Sequence, residues 1–461
     1  MSYFWEIGNK NGSFLLDETI ERITYKELED LVSEMQSLTK DTKKQLGIIL
    51  CKNNITTLAA YLAGLKNNDA SILLDAKLNQ QLLSEIVDAY KPDWIMSTDE
   101  VSIENYKVVW ERYDYRLYIS LQMKNEIKLH PDIAVLLSTS GTTGSKKLVK
   151  LSYKNLQANA ESIAEYLKLS NKEIPITSLP FQYSYGLSVI NSHLLVGASI
   201  VMTDESVLSR YFWDLFNEQK VTSFAGVPYI YQMLHRLKFH KMDLPSLKSF
   251  TQAGGRLSEN HIKYFYEEAI RRKCCFTVMY GQTEATARIS YVPFHKLGEK
   301  VGSIGIPIPN GKLTLDEGTS EIVYSGPNVM MGYAETKEDL TIGDQLNGLL
   351  YTGDIGEMDE EGYFYIKGRI KRFIKLFGLR ISLDELEKFL ETKFNINVAC
   401  VGNDENMKVI IEENNKEIAN EIRQAIQEYY KLHPSGFKVV LIDEHPRLPN
   451  DKINYQLLKD L

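Results

Sequence analysis

A chain of 461 residues with 44% hydrophobic and 25% charged residues has room for two or three domains and the composition of an ordinary globular protein. Its formal net charge of −8 excludes wholesale binding to a nucleic-acid backbone, which needs a basic face that releases counterions. Anionic ligands must then be held by local groups. The four cysteines, Cys51, Cys274, Cys275 and Cys400, form no CxxC pair, which points away from zinc or a disulfide scaffold and towards a reducing, cytoplasmic setting.

In chain order, Met1 to Glu6 lacks the basic and then apolar pattern of a secretory signal. Thr24 and Glu27 make a capping box, and Leu28, Leu31, Met35 and Leu38 give the helix that follows one apolar stripe. Leu46 to Cys51, Ala70 to Leu74 and Trp94 to Ser97 read as strands, alternating with helices over Ile55 to Lys66 and Asn79 to Tyr90. This rhythm predicts a mainly parallel sheet covered on both faces. A second such rhythm begins near Ile133 and continues through Ser199 to Met202 and Thr222 to Phe224. The apolar stretch Leu194 to Met202 is too short to span a bilayer and reads as a buried strand with its flanks, so no membrane anchor is expected.

From about Pro307 short strands and glycine turns predict a β-rich subdomain over 307–370. Beyond it, Ser382 with Glu385 caps a helix, and Val398 to Val401, Val409 to Glu412 and Phe437 to Ile442 read as strands around a helix over Lys416 to Tyr430. The expected fold class is α/β. A large N-terminal domain, 1–370, is followed by a small α+β domain, 371–461, with the boundary near Ile370 and Lys371.

Ser138 to Lys147 reads STSGTTGSKK after the apolar run Ile133 to Leu137. Ser138, Thr139, Ser140, Gly141, Thr142, Thr143 and Gly144 can turn backbone N–H and hydroxyl groups towards a phosphate, and Lys147 adds charge. The Walker pattern is absent, and Leu148 to Leu151 looks like a strand where a P-loop needs a helix. The first amphipathic helix comes later, with Ser152 as cap and Leu156, Ala160, Ile163, Ala164 and Leu167 on one face. The plain alternative is a Ser/Thr/Gly surface turn.

With this loop, YGQTE at Tyr280 to Glu284, YTGD at Tyr351 to Asp354, Gly368-Arg369 before IKRFIKLFGLR, and RLPNDKIN around Lys452, the chain resembles the adenylate-forming superfamily. That group includes acyl- and aryl-CoA synthetases, the adenylation domains of nonribosomal peptide synthetases, and firefly luciferase. The motifs occur in the family's order from about Ile133 onwards. The resemblance implies that the enzyme joins an organic acid to AMP, using ATP and Mg2+, and then passes the acyl group to coenzyme A or a phosphopantetheine carrier protein.

Carried over position by position, Tyr280 stacks on adenine beside Gly281, with Ala253-Gly254-Gly255 opposite. Thr283 contacts the α-phosphate and Glu284 holds magnesium. Asp354 accepts the ribose hydroxyls, and Arg369 adds a ribose contact. Lys452 bridges the acid's carboxylate and the α-phosphate, while Lys147 and magnesium hold the outer phosphates. Lys371 falls at the hinge of a swinging C-terminal domain. Gly378 falls where the pantetheine arm passes.

Some positions depart from the family pattern. Lys146 replaces the proline before the loop lysine, Asp451 replaces the glycine before the catalytic lysine, and the N-terminal region is shorter than in many members. Asp451 is placed to tune or partly neutralise Lys452. The acid pocket is expected from Leu179 to Ser188 and Phe224-Ala225-Gly226, with Tyr183 either a gate or a core aromatic. No aspartate stands near Gly186 to pair with a substrate ammonium, so the acid is expected to be an aryl or acyl acid without a free α-amine. No carrier domain follows Leu461, so the thiol acceptor is expected to be free or on a separate protein. Two alternatives stay open: a non-catalytic nucleotide-binding or carrier-docking protein of the same fold, and a phosphotransferase, which would release ADP.

Overall fold

The computed structural model describes all residues except 1–2, 9, 11–13, 18–20, 99–103, 114, 123–126, 139–146, 377–378, 404–405, 431 and 450. Its largest sheet has eight strands in the order Gly332–Ala334, Leu148–Ser152, Ile133–Ser138, Ala70–Asp75, Leu46–Cys51, Trp94–Ser97, Tyr115–Ser120 and Tyr106–Arg112. The four central strands run parallel. The outer ones are antiparallel: Tyr106–Arg112 with Tyr115–Ser120 and Ile133–Ser138 with Leu148–Ser152 pair as consecutive strands, while Gly332–Ala334 joins from far along the chain.

Side chains alternate across this sheet, and both faces are dry. Ile48, Leu50, Ile72, Leu74 and Leu136 join one buried cluster, while Ile49, Cys51, Leu73, Val135 and Leu137 join another. A strand buried on both faces needs an unbroken apolar run, which LGIILC and IAVLLS supply. Helix Ile55–Lys66 buries every residue from Ile55 to Leu65, in keeping with a segment that is apolar all round.

A second sheet has Ser223–Gly226, Ser249–Gln252 and Cys275–Tyr280 parallel, then Ser290–Tyr291 and Ile306–Pro307 antiparallel. Gly226, Ala253-Gly254-Gly255 and Tyr280 all fall at the C-terminal ends of its parallel strands, where ligands bind in open α/β sheets. A third, antiparallel sheet spans Lys312–Leu315, Glu321–Ser325, Leu349–Met358 and Phe364–Arg369.

The last segment packs helices Leu383–Phe394 and Lys416–Tyr430 with strands Val398–Gly402, Met407–Glu412 and Phe437–Ile442. Its two buried clusters draw only on residues between Ile374 and Leu458. The predicted caps are in place: Thr24 and Glu27 exchange capping-box bonds, Ser152 accepts from Asn155 N, and Ser382 accepts from Glu385 N.

The stretch Leu194 to Met202 differs from its expected form. Leu194 to Val196 finish helix Ser184–Val196, and only Ile200–Val201 is strand. Gly197, with φ +69, is the left-handed stop between them, a conformation that glycine reaches without steric cost. Leu156, Ala160 and Ile163 are buried as expected, whereas Ala164 and Leu167 are half-buried where the helix ends at Tyr166.

Candidate active site

At the C-terminal end of the parallel strands of the second sheet, the Tyr280 hydroxyl donates to Asp354 Oδ2. Asp354 is buried, and its Oδ1 accepts from Arg369 Nε at 2.9 Å. Asp354 and Arg369 stand directly opposite each other in neighbouring antiparallel strands, the arrangement in which cross-strand charges interact best. Burial raises the Asp354 carboxyl above the ordinary aspartate range, and Arg369 and Tyr280 oppose that rise.

Gly254 has φ +84, and a Cβ there would lie 2.5 Å from the Tyr183 hydroxyl. A Cβ at Gly281 would clash with the Ala287 carbonyl oxygen. Gly255 lies next to Gly254, its carbonyl accepting from Gln252 Nε2 at 2.9 Å. Only glycine lets the backbone approach this closely at 254 and 281.

The phosphate loop starts at exposed Ser138, the last residue of its strand; Thr139, Ser140, Gly141, Thr142, Thr143, Gly144 and Lys146 lie outside the described residues. At its far end, Lys147 Nζ stands 3.9 Å from the centre of the Tyr333 ring. The Tyr333 hydroxyl donates to Glu284 Oε1 at 2.9 Å. Glu284 itself is half-buried, and its carbonyl accepts from Met330 N at 2.8 Å. Thr283 is buried, with Oγ1 3.2 Å from Ser184 Oγ. The end of the phosphate loop, the YGQTE segment and the expected acid-pocket segment are thus joined.

Lys452 comes from the far end of the chain into the same cleft. Its Nζ lies 5.5 Å from the centre of the Tyr183 ring. Its pKa is lowered to about 8, chiefly by burial and then by the nearby Arg369, with Glu284 opposing the shift. The turn that carries it is closed by Asp451 N donating to the Leu448 carbonyl and Leu448 N donating to the Lys452 carbonyl, at 2.9 and 2.8 Å.

Asp451 has φ +61, a left-handed conformation that glycine takes freely and aspartate tolerates better than most residues. The charge opposing burial at Asp451 is Arg447, and Asp451 is not among the charges acting on Lys452. Asp451→Gly should therefore leave the adenylation rate within about threefold, whereas β-branched Asp451→Val should destabilise the turn by about 1–2 kcal/mol. Initial rates and thermal melts of the two variants check this.

Several residues that sequence patterns did not single out hold the cleft together. Arg447 lies 4.0 Å over the Tyr229 ring and donates to the Asp451 carbonyl at 3.0 Å. Arg256 pairs with Glu391 at 3.3 Å, and Gln232 donates to Asn397 at 3.2 Å. Arg372 pairs with Asp384 and Glu387. Tyr333 carried no motif signal; only the pairing of its strand with Leu148–Ser152 places it beside the loop. Lys371 is in the short turn Ile370–Arg372, between Arg369, held by Asp354, and Arg372. Gly378 lies outside the described residues.

Fold and cleft define an α/β nucleotide-site protein whose C-terminal segment delivers a lysine to the C-terminal edge of a parallel sheet. Residues 9–334 match the family of AMP-binding enzymes, and the chain belongs to that family, within the adenylate-forming superfamily. It is 34% identical over 277 residues to the long-chain-fatty-acid–CoA ligase of Bacillus subtilis, covering 56% of this chain and 48% of that ligase; the match thus spans about half of that relative's length.

With the D-alanine–D-alanyl carrier protein ligase of Staphylococcus epidermidis it is 25% identical over 403 residues, 83% of this chain and 80% of that one. Among solved structures, the o-succinylbenzoate–CoA synthetase of Bacillus subtilis with its acyl-adenylate intermediate superposes with a TM-score of 0.78. That match has 21% identity and covers 100% of this chain and 98% of the other. The same synthetase with ATP and magnesium ion gives 0.76 at 22% identity, covering 99% of both chains. At this identity the likeness establishes the fold. Among the described residues no helix is long and apolar enough to cross a membrane.

Proposed function

We propose that this protein activates a carboxylic acid with ATP, forming acyl-AMP and pyrophosphate, and then transfers the acyl group to the thiol of coenzyme A or of a holo carrier protein. The observation that carries this is that Lys452, from the far end of the chain, reaches the Tyr183 ring and lies close enough to Arg369 and Glu284 to feel their charges. A carboxylate and an α-phosphate repel each other, and a desolvated lysine aimed between them offsets that repulsion most as charge develops in the transition state. Tyr280 supplies a planar face for adenine, and the Asp354 carboxylate supplies acceptors for the ribose hydroxyls. Thr283, joined to Ser184 of the acid segment, sits between nucleotide and acid.

Magnesium fits one place. No group of three His, Cys, Asp or Glu side chains forms a metal cage among the described residues, but a lone carboxylate suits a cation that keeps its waters and takes the remaining ligands from phosphate oxygens. Glu284 would hold it. Bound there, the ion would neutralise charge on the outer phosphates, as Lys147 does from the loop side.

The C-terminal residues 371–461 act as a mobile domain hinged near Lys371, first presenting Lys452 and then the stretch containing Gly378 for thiol acylation. The absence of an aspartate between Leu179 and Ser188 supports an acid without a free α-amine, since a buried ammonium lacking a partner is strongly unfavourable. Free thiols at Cys51, Cys274, Cys275 and Cys400 support a cytoplasmic setting.

The test is isotopic. With an 18O-carboxylate acid, ATP and the thiol, one labelled oxygen should appear in AMP, because the carboxylate oxygen attacks phosphorus and stays there when the thiol displaces the adenylate. Labelled phosphate with ADP would establish a phosphotransferase instead. ATP bound without turnover would establish the non-catalytic reading.

The Lys452 shift makes a further prediction. At pH 8.5 more than half of Lys452 should be neutral in the free protein, and bound triphosphate should restore its proton, since nearby negative charge favours the cation. ATP binding should then take up a proton, seen as a calorimetric enthalpy that depends on buffer ionisation and that Lys452→Met abolishes. Because the folded value is depressed to about 8, the cost of burying the cation is present below pH 8. That cost is relieved as pH rises towards the unfolded value, so this group raises stability with pH across that window.

A further inference from the structure

Arg288 is a buried cation that the nucleotide chemistry leaves unused. It is 1% exposed and lies between the turn Thr283–Ala285 and strand Ser290–Tyr291. Its guanidinium carbon stands 4.0 Å from the centre of the Tyr185 ring. The phenols of Tyr166 and Tyr185 also feel it: burial raises both their pKa values, and Arg288 opposes the rise. The guanidinium also hydrogen-bonds towards these two phenols, yet its Nε and Nη1 have no hydrogen-bond partner among the described residues. A guanidinium removed from water with two donor atoms unsatisfied is strongly unfavourable unless a ligand completes it.

The backbone is held to this placement. Thr286 and Ala287 have φ of 51° and 90°, which is costly for residues other than glycine. Buried Asn328 fixes them, donating from Nδ2 to the Ala285 and Arg288 carbonyls at 2.7 Å and accepting at its own carbonyl from Thr286 Oγ1 at 2.6 Å.

Tyr185 belongs to the acid segment and is anchored by its hydroxyl to Thr251, at the end of a parallel strand. Its ring centre is 6.3 Å from that of Tyr183, the ring that Lys452 approaches. Lys452 and Arg288 are thus linked through two neighbouring rings, Lys452 against Tyr183 and Arg288 against Tyr185.

We propose that Arg288 is a specificity-determining residue that binds a second carboxylate, so that the acid activated here is a dicarboxylic acid. This rests on the adenylation reading above. One carboxylate faces Lys452 and attacks ATP, the spacer lies along Tyr183 and Tyr185, and the distal carboxylate accepts from an unsatisfied donor of the Arg288 guanidinium, Nε or Nη1. The same cation repels an α-ammonium at that end of the pocket.

The experiment measures acyl-AMP formation by the full-length protein with aliphatic and aromatic dicarboxylic acids of graded length, each beside its monomethyl ester. The free diacid should be preferred over its ester by about 10²-fold or more in kcat/KM, since a site built to satisfy a polar group rejects the analogue lacking it. Arg288→Met should reduce this preference to within about threefold, chiefly through KM, and Arg288→Lys should retain part of it. Because methionine also removes a buried unpaired charge, the melting temperature of that variant should not fall.

Esters or simple monocarboxylic acids used as well as diacids by the wild-type protein would overturn the inference and leave the adenylation reading standing. So would a diacid preference that survives Arg288→Met. Acyl-AMP from no acid at all would overturn both. If Arg288→Met fails to fold, the wild-type ratios still decide.

Discussion

Replacing Lys452 with alanine should lower the rate of acyl-AMP formation by about 10²–10³, the usual cost of losing one well-aimed electrostatic group. Binding of ATP should weaken much less, because Tyr280, Asp354, Arg369 and the loop remain. On the proposed reading Lys452 acts in the transition state: it is half-buried, its pKa is drawn down to about 8, and it lies near Arg369 and Glu284. Rapid-quench measurement of acyl-AMP in a single turnover reads the effect directly. Supplying preformed acyl-AMP with the thiol should restore product formation in the variant, because in the proposed mechanism the second half-reaction uses another presentation of the C-terminal residues. Equal loss in both half-reactions would place Lys452 in the general structure of the cleft instead.

Asp354→Ala should raise the KM for ATP by about 10²-fold while changing kcat less. Two hydrogen bonds from ribose hydroxyls to a charged acceptor are worth about 1.5–3 kcal/mol each, and these contacts are made equally in ground and transition states. In the free protein the carboxylate oxygens already accept from Tyr280 and Arg369. Each oxygen has a second lone pair for the nucleotide, so the protein contacts orient the acceptor without consuming it. Asp354→Asn keeps one acceptor oxygen and should fall between the wild type and alanine. Steady-state kinetics in ATP, with 2′-deoxy-ATP as comparison, separate the ribose contact from a general loss of folding.

Which parts of this structure could be read from sequence follows from which interactions are local. The capping pairs Thr24 with Glu27 and Ser382 with Glu385 are satisfied within a single helical turn, so their helices begin where the pattern places them. LGIILC and IAVLLS advertise a doubly buried strand because every position must be apolar. The antiparallel edges of the large sheet were hidden, since pairing of Tyr115–Ser120 with Trp94–Ser97 leaves no periodic trace. Gly197 ended a helix inside what looked like one apolar run.

At the site, motif residues Tyr280, Glu284, Asp354, Arg369 and Lys452 were visible as types in a recognisable order. Their supports Tyr333, Arg447 and Asn328 were not, because each acts only through a partner far away in sequence. Asp451 shows the opposite case. In the sequence it looked like a charge placed to disturb Lys452, and its positive φ explains why glycine or aspartate suits that turn.

The most direct test is nucleotide and acyl-AMP analysis by mass spectrometry after mixing the folded protein with ATP, Mg2+ and a broad panel of acids, beside Lys452→Met. Acyl-AMP and pyrophosphate in equal amounts from at least one acid, without ADP, and with formation collapsing in the variant, is the predicted result. ADP as the product, or acyl-AMP formed as fast without the lysine, would contradict the account.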